Sequence, residues 1–419
     1  MSQAGQGLRT AAVVAVGSEL LLGDVVNSNA AWLGRALAGA GLQVVLSEAV
    51  ADDVAQLTGA LDRALAAADV VVTTGGLGPT SDDLTREALA AVAGVPLERQ
   101  PALEDELRAR FAAYGYPMPA QNLQQADVPA GARVLPNPAG SAPGLLLEVG
   151  DRLLVALPGP PHELRAVLED ASAGPSVLDE LASRSGRPVV TRTLHVSGLG
   201  ESAVAERVER VVTVPPGVAL SYLAGSGTVR VRFTTAGDRA VLEPLVDAVA
   251  AELGDLAWGR DDDTLAAVVV ALLRRAGATV AVAESLTGGL LAAALTGVPG
   301  ASDVVRGGLV AYATDIKEQL GGVPGEVLAA HGAVSPETAT ALAEGARDRF
   351  GATFGLAATG VAGPAEQEGK PVGTVHLAVA GPAGTSGHSL RLVGDRDRVR
   401  LLAVAGGLDL LRRAACVPP

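Results

Sequence analysis

Lysine is nearly missing from this chain. Of 32 basic residues in 419 only two are lysines, Lys317 and Lys370. Isoleucine occurs once (Ile316), asparagine four times (Asn27, Asn29, Asn122, Asn137), and aromatics amount to 2%. These residues have AT-rich codons, so the shortage reads as a GC-rich coding sequence. Arginine then serves wherever a plain positive charge suffices, and a retained lysine marks a place that needs an amine able to lose its proton. The single cysteine, Cys416, excludes an intrachain disulfide and a cysteine-rich metal site, and fits a reducing cytoplasm. No apolar run approaches the ~18 residues of a membrane-spanning helix. The apolar run 11–16 ends at Gly17-Ser18-Glu19, which is too short for a secretion signal and better suited to a first strand. Basic residues are also outnumbered: 46 acids against 32 bases leave a net charge of -14. Such a chain repels phosphate backbones at long range, which argues against broad nucleic-acid binding.

What is present is ample apolar content, 48% hydrophobic against 19% charged. That composition predicts a folded chain, and its length predicts two to four domains at about 100–200 residues each. Residues 1–170 alternate strand and helix: strands at 11–16, 42–46 and 69–73, and helices at 30–40, 54–67 and 82–93. That order predicts a parallel sheet with helices on both faces. Segments 145–149 and 152–156 flank Gly150-Asp151 as a hairpin. Residues 171–256 read as a small β-α-β-β-α connector domain without converging polar residues. Residues 257–419 return to α/β, with helices at 264–276, from 290, at 336–350 and at 397–413, and strands at 278–283, 308–313, 354–358 and 374–380. A helical turn is expected at 315–320. Ser335-Pro336-Glu337 is an N-cap, a proline at the first helical position and an early acid.

The third unit carries a candidate nucleophile. Ser285 stands where a strand ends, and Thr287, Gly288 and Gly289 open the next helix, where main-chain N–H groups lack internal partners. Such donors suit a phosphate or the oxyanion of an attacked carbonyl; the same turn also serves as an ordinary helix cap. Lys317 lies in the turn after the next strand, and adjacent parallel strands bring such loops together. A neutral amine there could take the serine proton, burial lowering its pKa; the alternative is a solvated helix-surface lysine. Tyr312 sits nearby, to relay or orient the proton or simply to pack. A second glycine-rich loop, 358–364, suits a backbone-lined wall, and Arg396, at the start of the last helix, could meet a phosphate.

The segments ESLTGG (284–289), YATDIK (312–317), HGAVS (331–335), ATGVAGP (358–364), KPVGTV (370–375) and GDRDRVR (394–400) resemble, in order and spacing, the C-terminal domain of the CinA family. That family includes bacterial nicotinamide mononucleotide deamidases. The resemblance implies hydrolysis of the pyridine carboxamide to nicotinate mononucleotide and ammonia, without a cofactor. Ser285 would be the nucleophile, Lys317 its base and Tyr312 its neighbour, with Glu284, Thr287, Gly288, Gly289, Thr359, Gly360, Gly363 and Arg396 framing the substrate. The chain departs from the family pattern at Leu286, where cysteine is usual, and at 365–369, which lacks the usual paired glycines.

In the first unit, two loops lie at carboxyl ends of expected parallel strands, the usual ligand edge. One holds Gly17, Glu19 and Gly23, with Asn29 close behind; the other holds Thr74, Gly75, Gly76, Gly78, Pro79 and Thr80. Asp82 and Asp83 follow, as ligands for Mg²⁺ or a similar divalent cation, or as acids that favour a helix N-terminus. Together with loops 137–144 and 158–160 they resemble the N-terminal domain of full-length CinA proteins, which is related to molybdopterin-binding MoaB/MogA-like domains. Some members are similar to metal-dependent ADP-ribose pyrophosphatases. The middle unit resembles the family's small KH-like linker.

The expected protein has two three-layer α/β domains joined by a small α+β domain, and works as a cytoplasmic, bifunctional pyridine-nucleotide salvage hydrolase on nicotinamide mononucleotide and ADP-ribose. The resemblance also implies a homodimer. The rival expectation is a non-enzymatic nucleotide- or pterin-binding regulator linked to competence or DNA damage.

Overall fold

The computed structural model describes residues 8–113, 115–172, 174–185, 189–225 and 227–416. It divides into two compact units, Met1–Val190 with Thr235–Asp238, and Thr191–Thr234 with Arg239–Pro419.

The first unit begins β1 (Thr10–Val16), α1 (Ser18–Leu22), α2 (Ser28–Gly39), β2 (Gln43–Val50), α3 (Val54–Ala67), β3 (Val70–Thr74) and α4 (Thr85–Ala93). It continues with β4 (Leu97–Arg99), α5 (Pro101–Ala113), β5 (Asp127–Pro129), β6 (Arg133–Leu135), β7 (Gly144–Val149), β8 (Arg152–Leu157), α6 (Pro161–Glu169) and α7 (Val177–Ser185). Its main sheet runs β2-β1-β3-β8-β7-β6. β2, β1, β3 and β8 are parallel, and the expected hairpin closes antiparallel at Gly150. β1 and β3 are near-continuous Val/Ala runs because both of their faces are covered. The Asn27 and Asp53 side chains cap α2 and α3 by accepting from Ala30 N and Gln56 N. α4 starts at Thr85 instead of 82, because the Asp83 carboxylate folds back onto the preceding loop. The unit also runs past residue 170, since Val177 and Leu181 of α7 join the core of α2, β1 and β3.

The second unit opens with β9 (Val189–Ser197), α8 (Glu201–Val211), β10 (Val218–Gly225), β11 (Thr228–Ala236), α9 (Glu243–Leu253) and β12 (Ala257–Arg260). Their sheet order is β10-β11-β9-β12. β12 lies beyond the expected boundary at 256, yet it pairs antiparallel with β9. This small sheet shelters His195, which packs against Trp258 with ring centroids 4.8 Å apart.

The rest is α10 (Leu265–Arg275), β13 (Val280–Glu284), α11 (Leu290–Thr296), β14 (Val305–Val310), α12 (Thr314–Gln319), α13 (Gly325–His331), α14 (Pro336–Phe350), β15 (Phe354–Gly360), β16 (Thr374–Gly381), β17 (Gly384–Arg391) and α15 (Arg396–Cys416). The sheet order is β14-β13-β15-β16-β17. β14, β13 and β15 are parallel, and β16 and β17 return antiparallel. One face packs under α10, α11 and α15, the other under α14. The expected cap of α14 is present, with Ser335 Oγ accepting from Thr338 N at 3.1 Å. Among the described residues no helix is long and apolar enough to cross a membrane.

Candidate active site

Ser285 follows β13 at the carboxyl edge of the parallel strands, and its N–H donates to Ala358 O of the neighbouring β15 at 2.9 Å. The residue is 8% exposed. The turn after it is set by Glu284, which is 1% exposed. This carboxylate accepts from the N–H groups of Gly289 (2.9 Å), Leu291 (3.0 Å) and Ala292 (2.8 Å). The motif was expected to place Glu284, Gly288 and Gly289 against a substrate. Instead, Glu284 caps α11 from within and spends the Gly289 amide, while Gly288 N–H donates to Ser285 O. The amides of Leu286 and Thr287 remain without a partner among the described residues. These two N–H groups, directly after Ser285, are the oxyanion donors that the turn has to offer. Thr287 is fully buried, and its Oγ1 also lacks a partner. Arg400 braces the turn from the main-chain side, donating to Leu286 O (3.0 Å) and Thr287 O (3.1 Å).

Lys317 is 2% exposed, although it lies on the short helix α12. Its Nζ donates to Ala311 O and Tyr312 O, both at 2.9 Å. Among the described residues it enters no ion pair. Burial pulls its pKa below the ordinary lysine value, and the more distant Glu368 charge only partly opposes this. A neutral amine has two N–H bonds and one lone pair. Two carbonyl partners therefore use both hydrogens and leave the lone pair free.

Ser285, Lys317, Leu286, Tyr312, Gly360, Gly363, Glu366, Gln367 and Arg396 line one cavity of about 200 Å³. A wider, more open groove of about 860 Å³ runs along α14, lined by Glu337, Thr340, Glu344 and Asp348 among others, and contains neither Ser285 nor Lys317. Tyr312 lies in the loop past β14 and is 57% exposed. Its hydroxyl accepts from Arg396 Nη2 at 2.7 Å, and Arg396 Nη1 donates to Gly363 O at 2.5 Å. Tyr312 thus steadies Arg396, and among the described residues three of the five guanidinium N–H bonds stay free for an anion. Thr359 was expected to touch substrate. It is fully buried and donates to Ala333 O at 2.7 Å, fastening the 358–364 loop to the 332–335 turn. Glu368 carried no sequence signal, yet it clasps the same turn by accepting from Ala333 N and Val334 N. Burial raises its pKa, but these amides and Lys370 outweigh that and hold it low. Lys370 donates to His331 O at 2.9 Å and pairs with Glu368 at 3.5 Å.

In the first unit, Asn29 Nδ2 donates to Thr74 Oγ1 (3.0 Å) and Gly159 O (2.7 Å), so three expected loops do meet at one sheet edge. Gly75 must be glycine: at φ 100° a Cβ would stand 2.4 Å from Val16 O. Arg86 is 2% exposed and ties down the glycine loop through Leu77 O and Gly78 O. Glu19 and Gly23 are exposed, and Glu19 makes no side-chain hydrogen bond among the described residues. The Asp82–Asp83 pair does not fit a protein-built metal centre. Asp83 accepts from Gly78 N, Thr80 N and Thr80 Oγ1, Asp82 is exposed, and no group of three His, Cys, Asp or Glu suited to a metal occurs among the described residues.

Three family models match this chain: "CinA C-terminal domain" over residues 262–415, "Probable molybdopterin binding domain" over 12–175, and "Damage-inducible protein CinA KH domain" over 191–259. A CinA-like protein of Frankia casuarinae is 50% identical, with 96% of this chain and 95% of that protein covered. The chain belongs to the CinA family. A putative competence-damage inducible protein of Symbiobacterium thermophilum is 44% identical over 96% of this chain and 98% of its own length. The crystal structure of CinA from Thermoplasma acidophilum, described as of unknown function, is 37% identical over 38% of this chain and 95% of that one, with a TM-score of 0.37.

Within this CinA-family chain, Ser285, Lys317, Tyr312, Gly360, Gly363 and Arg396 are the expected site residues that reach the cavity. Glu284, Thr359 and Asp83 are turned to structural work. Arg400 and Glu368 were not anticipated; the arginine of GDRDRVR four residues past Arg396, one helical turn on, was the available signal for the first.

Proposed function

We propose that the C-terminal domain of this CinA-family protein hydrolyses a carboxamide, with nicotinamide mononucleotide as substrate and nicotinate mononucleotide and ammonia as products. The observation that carries this reading is Lys317: a buried amine held by two carbonyls and no carboxylate, in the same cavity as Ser285. Lys317 Nζ takes the Ser285 Oγ proton as Oγ attacks the amide carbon. The oxyanion lies against the Leu286 and Thr287 amides. As the C–N bond breaks, the Lys317 ammonium returns the proton to the leaving nitrogen and ammonia departs. Water, deprotonated by the same amine, then cleaves the ester and frees Ser285. The free N–H bonds of Arg396 suit the nucleotide phosphate.

The test is ammonia release from nicotinamide mononucleotide by wild type and Lys317→Arg. Arginine keeps the charge but cannot act as a base, so release should fall by at least about a hundred-fold, the usual share of general-base catalysis. Equal rates would refute the Ser–Lys reading. For the first unit, we propose nucleotide binding at the Asn29–Thr74–Gly75 edge, with ADP-ribose as ligand. Metal-dependent cleavage there would fall to Asp82, which is exposed, because Asp83 is occupied by Gly78 and Thr80.

A further inference from the structure

The loop 365–369 is where this chain departs from the resemblance stated above, and it carries a charge at the site, Glu366. Glu366 lines the cavity of Ser285 and Lys317. Among the described residues, its carboxylate accepts no hydrogen bond and enters no ion pair. The loop around it is nonetheless fixed. Gln367 and Lys370 pair through both main-chain bonds, Gln367 N to Lys370 O at 3.1 Å and Lys370 N to Gln367 O at 2.8 Å. Glu368 and Gly369 make the reversal at φ 53° and 69°, and the Glu368 carboxylate pins the loop to Ala333 and Val334. Glu366 is therefore an unpartnered acid on an anchored loop. The cavity's other free charge is Arg396, which forms no ion pair among the described residues and gives two of its hydrogens to neutral oxygens. Tyr312, whose hydroxyl holds Arg396, lines the same space.

One free anion, one free cation and an aromatic face in about 200 Å³ complement a zwitterion. We propose that Glu366, with the Tyr312 ring, selects substrates whose amide-bearing ring is a cation, so that the site takes pyridinium carboxamides and discriminates against the same amide on an uncharged ring. This rests on the amidase reading above. A carboxylate attracts the ring charge directly, and the face of Tyr312 adds a cation–π contact. Arg396 lines the same cavity and works against that attraction, and on the amidase reading Lys317 is neutral before it takes the serine proton, so it adds no further repulsion. Glu366 is a specificity residue in this scheme and takes no part in proton transfer.

The experiment uses the full chain carrying Ser285→Ala, which can bind without turnover. It is titrated by calorimetry with nicotinamide mononucleotide and with its 1,4-dihydro form, whose ring is uncharged. Binding should favour the cationic ring by roughly five-fold, as one solvent-facing charge pair allows, and the preference should shrink at about 1 M salt. Adding Glu366→Gln should reduce the preference to about two-fold, the part the Tyr312 ring keeps, leaving the affinity for the uncharged ring within about two-fold. A preference unchanged by Glu366→Gln overturns the proposal, as does equal binding of both rings before it. Discriminating binding without ammonia release once Ser285 is restored would refute the amidase reading and leave charge selection standing.

Discussion

Glu284 offers the sharpest separation between a residue that touches substrate and one that holds the site in shape. Its motif position suggests the former and its hydrogen bonds the latter. In Glu284→Gln only one side-chain oxygen remains. If it occupies the Oε2 position it keeps the Gly289 and Leu291 amides, while an NH₂ group now faces the N–H of Ala292. The change loses a charge-assisted bond and strands a buried donor, worth about 1.5–3 kcal/mol. The charge at the N-terminus of α11 adds about 0.3–1 kcal/mol, so the expected destabilisation is about 2–4 kcal/mol. The chain has two tryptophans. In a Trp32→Phe background, Trp258 is left as the reporter, and it belongs to the same core as Val280, Leu291 and Leu356. Urea unfolding followed by its fluorescence gives the stability of the second unit. KM for the amide should stay within about two-fold and kcat should fall, because the residue shapes the Ser285 turn without lining the cavity. A loss below about 0.5 kcal/mol together with a large rise in KM would refute this reasoning and return Glu284 to the substrate.

The remaining predictions concern Lys317 and the first unit. Burial favours the neutral amine, so kcat/KM for ammonia release should rise with pH along a limb lying below the ordinary lysine value of 10.5, and fall as acid protonates Lys317. A limb at the ordinary value in a pH–rate profile would contradict the buried amine. Asn29→Ala removes the bonds that tie α2 to Thr74 and Gly159. It should cost the first unit about 1–3 kcal/mol, read from Trp32 fluorescence in the same helix, and should weaken ADP-ribose binding.

The parts of the fold that were legible in the sequence are those whose packing leaves a pattern. β1, β3, β13 and β15 are buried strands that read as short, mostly apolar runs. The Ser335 cap gives α14 away. β17 was not legible: GTSGHSLR is mostly exposed and lies at the sheet edge, so no buried face imposes an alternation. β12 is four residues long, too short for periodicity to place it in either domain. The candidate site was legible at Ser285 and Lys317, because a strand–turn–helix signature and the scarcity of lysine mark them independently. Side-chain direction was not. A motif places Glu284 and Thr359 beside a ligand edge, but only the fold shows that one carboxylate turns under α11 and that one hydroxyl turns toward Ala333. Glu366 and Glu368 are acids in a polar loop, and nothing in such a stretch announces which faces a cavity.

The burial of Lys317 also bears on how this protein can be labelled. With Lys317 enclosed and both of its donor directions occupied, an amine-directed reagent meets one accessible lysine side chain, Lys370. That amine anchors the loop that carries Glu366 into the cavity. A fluorophore coupled there without mutagenesis would release the bonds of Lys370 to His331 and Glu368, and so would report how far the loop that carries Glu366 depends on that anchor.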